Sequence, residues 1–243
     1  LPRPRVAILS TGNELVEVGT PLQPGQIVDA NQPALVALVQ RAGALPLPLG
    51  RVPDQAAALG SAIATAPPQA DLILSSGGVS VGDFDYVDSV LRELGATLWI
   101  TAVAVKPGKP LTVATLPRPN GAPPLLYLGL PGNPVSALVC FWRFVEPALR
   151  KQSGLSRGWS PEWVWATTDQ PLAAAGDRET YLWGDLRAGQ EDYRFSPAPG
   201  SHNSANLVNL AGSNALAVIP VGTTHIPGQS RVRVMVVGRI TQF

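Results

Sequence analysis

The sequence of 243 residues predicts an α/β fold, a three-layer α/β/α domain with a mainly parallel sheet, followed by a small all-β barrel or sandwich. Strand-like apolar runs alternate with helical patterns up to about residue 153, which is typical of a parallel sheet covered on both faces. From residue 154 onward, short strand patterns follow one another between turn-rich stretches. We therefore expect two domains, at 1–153 and 154–243.

Each element of the first domain has its own signal. Apolar runs predict strands at 5–10, 44–52, 70–75, 97–105, 111–116 and 125–130, the last two as a hairpin. Helical spacing of apolar residues predicts helices at 31–43, 53–66, 86–94 and 133–151. Asn31 and Asn133, which each precede a proline closely, and Asp54 are of the residue types that cap helix N-termini.

The second domain is predicted from strands alone. Its candidates are 162–167, 179–186, 192–196, 215–219 and 232–237, and no convincing helical pattern lies between them. The six tryptophans of the chain are expected to be core and packing residues. Stacking platforms for nucleic acid are the alternative, but no basic groove accompanies these tryptophans in the sequence.

The most distinctive segment is the strand-to-helix turn at residues 75–86. Gly77, Gly78 and Gly82 allow a ligand to approach the main chain closely, and free amides beside a helix N-terminus favour a phosphate or a similar anion. Asp83 and Asp85 could cap the helix or hold Mg²⁺ between themselves and phosphate oxygens. A plain tight turn with a capping Asp is the alternative interpretation of these residues alone.

Other polar residues are predicted at the same edge of the sheet, because ligands of open α/β sheets bind outside the carboxyl ends of the strands. They are Glu14, Asp54 and the turn at 131–134. As a group, Glu14, Asp54 and Asp85 could bind Mg²⁺, orient a hydroxyl or repel the wrong anion.

The segment Lys-Pro-Gly-Lys-Pro at 106–110 adds two ammonium groups on a stiff loop, as a phosphate clamp requires. Lysines beside prolines are also common as plain solvated turn residues. The predicted anion-binding glycine turn favours the interpretation of these lysines as a phosphate clamp.

Composition excludes several classes of function. The net charge of +1 offers no electrostatic reason to bind nucleic acid or an acidic membrane, and no apolar run has the length of a membrane span. A single cysteine, Cys140, excludes internal disulfides and fits a reducing, cytoplasmic location. His202, His225 and Cys140 have no metal-ligand spacing. The chain begins without methionine and without a signal peptide, so we expect a fragment of a longer protein.

Ordered motifs resemble a known family. They are Ser-Thr-Gly-Asn-Glu-Leu at 10–15, Gly-Gln-Ile-Val-Asp-Ala-Asn at 25–31, Ser-Gly-Gly-Val-Ser-Val-Gly at 76–82, Asp-Tyr at 85–86, Lys-Pro-Gly-Lys-Pro at 106–110 and Leu-Pro-Gly-Asn-Pro-Val-Ser at 130–136. The pattern is similar to that of the molybdopterin molybdenumtransferases of the MoeA and gephyrin E-domain type. It covers residues 1–151, and the β-rich remainder fits the C-terminal barrel of this family.

The resemblance implies an enzyme of molybdenum-cofactor synthesis that takes adenylylated molybdopterin and molybdate, releases AMP with Mg²⁺, and works as a homodimer in the full-length protein. It implies that the phosphate or nucleotide is cradled by Ser76, Gly77, Gly78, Ser80 and Gly82. It further implies that Lys106, Lys109 and Ser136 hold molybdate or phosphate, that Glu14, Asp54 and Asp85 are pocket carboxylates, and that Pro131 and Pro134 shape the wall. Gly132, Asn133 and Ser204 are expected to bind the cofactor as well.

Departures from the family pattern are also visible. The resemblance places a basic residue where this chain has Trp183 and Ala102, and the family carries two further N-terminal domains to which nothing in this chain corresponds. Two other functions remain open at this point. One is the molybdopterin adenylyltransferase, which shares the α/β fold, and the other is a non-catalytic scaffold that binds pterin or a protein partner.

Overall fold

The structure is a computed structural model that describes residues 3–78, 86–190 and 192–242. In chain order, the first part of the chain forms β1 (Arg5–Thr11), β2 (Leu15–Val16), β3 (Ile27–Val28), α1 (Asn31–Arg41), β4 (Leu45–Val52), α2 (Ala56–Ala64), β5 (Leu72–Ser76), α3 (Val87–Glu93), β6 (Thr97–Ala102), β7 (Val105–Lys106), β8 (Pro110–Leu116), β9 (Leu125–Leu130), α4 (Pro134–Cys140) and α5 (Glu146–Gln152).

Six of these strands form one sheet in the spatial order β4-β1-β5-β9-β8-β6. The first four are parallel, and β8 joins the sheet through the predicted hairpin with β9. Strand β1 shows why the run at 5–10 is apolar on both faces, since Val6, Ala7, Ile8 and Leu9 have no exposed surface. The prediction of a mainly parallel sheet is confirmed.

Helices cover both faces of this sheet. Leu35 and Val39 of α1 pack with the apolar side of α4 and α5 in one core cluster. Leu59 of α2 packs with Val90 and Leu91 of α3 in a second cluster. The arrangement confirms the three-layer α/β/α prediction, because each face of the sheet has its own hydrophobic core.

The helix predicted at 133–151 is one continuous element with an irregular middle. A π-helical segment, Phe141–Val145, lies between α4 and α5. Pro147, in the first turn of α5, has no amide hydrogen to donate, and its ring crowds the carbonyl four residues earlier. The wider π-helical turn lies just before Pro147, because a regular α-helix would not accommodate the proline there.

The second part of the chain forms β10 (Glu162–Thr168), β11 (Leu172–Ala173), β12 (Glu179–Ala188), β13 (Tyr193–Pro197), α6 (Leu207–Leu210), β14 (Ala215–Ile219), β15 (His225–Ile226), β16 (Arg231–Val236) and β17 (Thr241–Gln242). Strands β13, β10, β16, β14 and β12 pair in that order, and β12 pairs with β13 to close a barrel. A barrel, and not a sandwich, follows the first domain. Helix α6 was not predicted, because one turn is too short to show helical periodicity.

One strand crosses between the two parts. The sequence predicts a single strand at 97–105, but β6 ends at Ala102, and β7 pairs in parallel with β12 of the barrel, placing Lys106 beside Thr180. We propose the division into 1–153 and 154–243, which separates the six-stranded sheet from the barrel and leaves β7 as the exception. In the described ranges no helix has both the length and the apolarity to cross a bilayer.

The six tryptophans differ in exposure, and Trp163 is intermediate between the buried and the exposed ones. Trp142 and Trp183 are buried, as predicted for core residues. Trp99, Trp159 and Trp165 are 66%, 38% and 56% exposed, so the core prediction is wrong for these three. Arginine and lysine side chains brought together by the fold lie over two of them, a proximity that linear spacing does not show.

Candidate active-site cleft

Two turns meet at the carboxyl edge of the parallel strands. The Asn31 side-chain amide donates to the Ser76 hydroxyl over 2.6 Å and to the Gly132 carbonyl over 2.7 Å. The Gly77 amide donates to the Leu130 carbonyl over 3.1 Å. These bonds hold the turn after β5 against the turn after β9, so the structure brings Ser76, Gly77 and Gly132 together as the strand order predicts.

Asn31 takes part because another residue caps its helix. The sequence predicts Asn31 as the cap, but the Asp29 carboxylate accepts from the backbone amides of Asn31 and Gln32 at 3.0 and 3.1 Å. A carboxylate is favoured at a helix N-terminus. The Asn31 side chain is therefore free to reach across the sheet edge, and it is a site residue that sequence reasoning missed.

The described glycines of the turn leave no room for side chains. Gly77 and Gly78 have φ angles of +93° and +69°. A Cβ atom at Gly77 would lie 2.5 Å from the carbonyl oxygen of Thr11, and one at Gly78 would lie 3.1 Å from the Thr11 hydroxyl. Both positions therefore require glycine. The other predicted residues of this turn, which are Ser80, Gly82, Asp83 and Asp85, lie outside the described residues.

A buried hydroxyl without a partner lies beside this turn. Ser10 pairs in register with Ser76, and its side chain is 1% exposed. Its hydroxyl makes no hydrogen bond to any described residue. Since a buried hydroxyl without a hydrogen bond costs about 1–3 kcal/mol, this position favours an additional polar group from a ligand or water.

Asp54 lies on the same edge, but it does not cap a helix as predicted. Its carboxylate accepts hydrogen bonds from the Tyr86 hydroxyl over 2.9 Å and from the backbone amide of Asn13 over 3.3 Å. The Asn13 side chain in turn accepts from the Asp54 amide over 3.1 Å, which ties the two loops together. Burial, together with the Asp54 carboxylate, raises the pKa of Tyr86 to about 12, so the phenol keeps its proton at neutral pH.

Glu14 is the predicted carboxylate that the structure leaves apart. Its side chain is exposed and lies over Gly12, and its backbone carbonyl accepts from the Ile27 amide over 2.8 Å. Within the described ranges, its carboxylate forms no ion pair and no hydrogen bond to Asp54. Glu14 is thus placed at the edge of the site and is not fixed by neighbours.

The predicted cationic residues lie in a cleft between the sheet edge and the barrel. The cleft encloses about 630 Å³. Its lining includes five residues that the sequence predicts for the site, Lys106, Lys109, Asn133, Ser136 and Ser204. Both lysines are exposed, whereas Ser136 is 4% exposed at the start of α4. The cleft is therefore a polar, positively charged space open to solvent.

The barrel side of the cleft is attached to the α/β side by direct hydrogen bonds. Asn133 is predicted as a helix cap, and it holds the position before α4, but its side chain makes no capping bond and donates to the Ser204 hydroxyl over 3.1 Å. The Val135 amide donates to the Ser204 carbonyl over 3.0 Å. Pro131 is buried and Pro134 opens α4, but the residues that line the cleft include neither, so their role in its wall stays a prediction.

Arg178 is a cation of the cleft that sequence reasoning missed. It lines the same space as the two lysines, and it forms an ion pair of 3.0 Å with Asp177. The pairing of β7 with β12 puts Lys106 close to this segment. Arg178 therefore adds a cationic side chain to the cleft beside the two lysines.

Trp183 and Ala102 do not contribute to the charge of the cleft. Trp183 is fully buried, its indole nitrogen donates to Asn209 over 2.7 Å, and its ring lies 4.3 Å from the ring of His202. Ala102 is exposed at the end of β6. His202 lines the cleft, and burial lowers its pKa although the bond to the Ala198 carbonyl acts in the opposite direction. The imidazole is thus neutral at neutral pH.

The lysine loop packs onto the buried thiol of Cys140. Gly108 has a φ of +118°, and a Cβ atom there would lie 2.6 Å from the Cys140 sulfur. Burial raises the pKa of this thiol to about 12, so it carries no thiolate at neutral pH. Cys140 is therefore a packing residue under the loop.

Comparison with known proteins agrees with this arrangement. Residues 7–151 match the family described as a probable molybdopterin-binding domain, and residues 166–236 match the MoeA C-terminal region, domain IV. A relative from Nostoc sp., a molybdopterin molybdenumtransferase, is 55% identical over 96% of this chain. This chain belongs to the molybdopterin molybdenumtransferase family. A molybdopterin molybdenumtransferase from Haemophilus influenzae is 42% identical over 82% of this chain.

The chain spans only about half the length of these relatives. The chain spans 53% of the Nostoc relative and 48% of the Haemophilus relative. Among solved structures, a molybdopterin biosynthesis MoeA protein from Pyrococcus horikosii superposes with a TM-score of 0.79 at 26% identity, over 98% of this chain and 55% of that chain. A Pyrococcus furiosus molybdenum cofactor biosynthesis protein, 22% identical with a TM-score of 0.69 over 97% of this chain and 68% of that one, shares the fold.

Membership in the molybdopterin molybdenumtransferase family confirms the resemblance seen in the sequence motifs. It also bears on the two other functions left open there. The curated relatives carry the name of the metal-inserting transferase, so neither the molybdopterin adenylyltransferase nor a non-catalytic scaffold is favoured.

Proposed function

We propose that this chain is the substrate-binding portion of an enzyme that inserts molybdate into adenylylated molybdopterin and releases AMP. The observation that carries the proposal is the junction between the glycine turn and the cationic cleft. Asn31 ties Ser76 to Gly132, and the adjacent Asn133 lines the cleft that contains both lysines. A ligand that spans this junction would meet amide donors at one end and ammonium groups at the other.

The two ends of this site suit different parts of the substrates. We assign the phosphate or nucleotide to the turn at 76–82, with Ser76, Gly77, Gly78, Ser80 and Gly82 around it. We assign molybdate to the cleft, because a tetrahedral dianion binds best to fixed cationic and hydroxyl donors. Those donors are Lys106, Lys109, Arg178, Ser136 and Ser204.

The reaction needs charge stabilisation more than a nucleophilic side chain. Release of AMP replaces the phosphoanhydride bond with a bond from phosphorus to an oxygen of water or molybdate, and the leaving phosphate gains negative charge that Lys106 and Lys109 would stabilise. Asp54, fixed by Tyr86 and Asn13, can orient a hydroxyl or accept a proton at one carboxylate oxygen. Glu14 and Asp85 are the other carboxylates that we place at this edge.

Magnesium is a further part of the proposal. Carboxylate and phosphate oxygens are the ligands that this cation prefers, so Asp83 and Asp85 have suitable chemistry to hold it. Among the described residues, no cluster of three metal-binding side chains is present. We propose that Asp83 and Asp85 would share the ion with phosphate oxygens of the substrate. When bound, it neutralises phosphate charge.

Assembly and location complete the proposal. We expect the full-length protein to form a homodimer in the cytoplasm. A free buried cysteine is compatible with a reducing compartment, and the matched relatives are about twice as long as this chain. The partner classes that we do not expect are membranes and nucleic acids.

The first test is equilibrium binding of adenylylated molybdopterin to the 243-residue chain. We expect saturable binding that Lys106→Ala and Gly78→Val each weaken at least about tenfold, because one removes a cation and the other fills the turn. Lys151→Ala, a lysine outside the cleft, should bind as the wild type does. Equal binding by all variants would contradict the site.

The second test is molybdate-dependent AMP release by the full-length protein. We expect Lys106→Ala and Asp54→Asn to reduce the rate while far-UV circular dichroism stays unchanged. A full-length enzyme whose AMP release is unaffected by either substitution would contradict the assigned roles.

A further inference from the structure

A second groove lies between the long helix and the outer face of the barrel. It encloses about 670 Å³. Glu179 of β12 lines this groove, whereas its neighbours Arg178 and Thr180 line the cleft, and no described residue lines both spaces. We call the groove aromatic–cationic, because its lining includes Arg143, Phe144, Lys151, Trp159, Trp163 and Arg233.

A cationic side chain lies over each aromatic ring of this groove. The Arg233 guanidinium carbon lies 4.1 Å from the centroid of the Trp163 ring, and the Lys151 ammonium lies 4.9 Å from that of Trp159. Arg143 lies 5.4 Å from the Phe144 ring. Such stacking orients the cations over the rings and leaves N–H groups available at the edge of each guanidinium.

The same pattern continues along the barrel beyond the groove. Trp165 pairs in register with Arg233, and Arg231 lies 5.5 Å from the Trp165 ring. The alternating residues Val164 and Val232 point to the barrel interior, so Trp163, Trp165 and both arginines share the outer face. Positive charges therefore recur every second residue, about 6–7 Å apart along β16.

The charge of this surface is not balanced by nearby carboxylates. Arg143 lies 3.9 Å from Glu179 and donates to the Tyr181 hydroxyl over 2.9 Å. Lys151, Arg231 and Arg233 form no ion pair with any carboxylate of the described ranges. An anionic ligand would supply the missing partners. Base stacking of a nucleic acid is less suited, because cations already lie over the rings.

We propose that the aromatic–cationic groove and the adjoining face of β10 and β16 bind an acidic, amphipathic segment of a protein. Its carboxylates would pair with Lys151, Arg231 and Arg233, and its apolar side chains would pack against Ala148 and Pro161 of the groove lining. The site is independent of the cleft and of the reaction proposed for it. It fits the general mode in which a helix or an extended segment lays its apolar side into a groove rimmed by charge.

The probe is a fluorescein-labelled peptide of about 14 residues, built from Glu and Leu so that one helical face is acidic and the other apolar. Fluorescence anisotropy with the 243-residue chain should show saturable binding that weakens as salt is added. Arg233→Gln and Lys151→Gln should each weaken binding about tenfold, since each removes a charged partner. Arg92→Gln, a matched loss of charge on α3 across the sheet, should change nothing.

A charge exchange separates recognition from damage to the fold. The chain carrying both Lys151→Glu and Arg233→Glu should lose the Glu/Leu peptide and gain binding to a Lys/Leu peptide of the same pattern, which the wild type does not bind. Absence of peptide binding to the wild type would overturn the proposal. So would displacement of the bound peptide by oligo(U) RNA, or self-association of the chain that requires Arg233.

Discussion

The Asn133 side chain donates a hydrogen bond to the Ser204 hydroxyl over 3.1 Å, and the two residues are 71 positions apart. This bond closes one end of the cleft between the sheet edge and the barrel. The bond uses Nδ2 of Asn133 and directs the side chain towards the barrel loop, and the side chain makes no capping bond to α4.

The pair can be tested by a double-mutant cycle of Asn133→Ala and Ser204→Ala. We expect a coupling free energy of about 0.5–1 kcal/mol, because a solvent-accessible neutral hydrogen bond contributes little more. Urea denaturation of the four proteins measures it. The combination Asn133→Ala with Ser201→Ala, a serine of the same loop, should be additive, and additivity of the Ser204 pair would contradict the bond.

Gly77 and Gly25 allow a matched test of the glycine turn. Both have positive φ angles, +93° and +83°, but only a Cβ at Gly77 would meet another atom, at 2.5 Å from the Thr11 carbonyl. We expect Gly77→Ala to lower the free energy of unfolding by more than about 2 kcal/mol, and Gly25→Ala by about 1 kcal/mol. Thermal and urea unfolding provide the comparison. Equal losses would show that the turn tolerates a side chain.

Cys140 should resist thiol reagents in the folded protein. With a pKa of about 12, the fraction of thiolate at pH 8 is on the order of 10⁻⁴, and the sulfur is buried as well. Labelling with a chromogenic disulfide should be slow in buffer and rapid in denaturant. Gly108→Ala should accelerate it, because the new Cβ would press on the sulfur at 2.6 Å. Rapid labelling of the folded wild type would contradict this packing.

His202 should make stability fall under mildly acidic conditions. Burial lowers its folded-state pKa below the ordinary 6.5, so the unfolded chain binds the proton first as the pH falls. The free energy of unfolding should therefore decrease as the pH falls from about 7.5 through 6.5, until the folded-state pKa is passed. His202→Asn should flatten this slope, whereas His225→Asn should leave it. An unchanged slope in His202→Asn would assign the effect to other groups.

The architecture of this chain is largely predictable because its signals are local. The apolar run at 5–10 and the helical spacing at 86–94 give β1 and α3 within a few residues. Parallel strands with connecting helices then bring their carboxyl ends to one edge, which predicts the proximity of Ser76 and Gly132.

The site residues that sequence reasoning missed depend on distant partners. Asn31 bonds to residues 45 and 101 positions away, and it can do so only because Asp29 caps the helix. Arg178 reaches the cleft because β7 leaves the first sheet and pairs with β12. Competition between neighbouring caps and the exchange of a strand between sheets are not visible in residue spacing.

The position of β7 has a mechanical consequence for the two lysines. Lys106 is paired with strand β12 of the barrel. The backbone carbonyl of Lys109 accepts a hydrogen bond from the Val103 amide, and Lys109 directly precedes β8 of the six-stranded sheet. The backbone of one lysine is therefore positioned by the barrel and that of the other by the sheet. The relative placement of the two lysines is set by how the two sheets are joined.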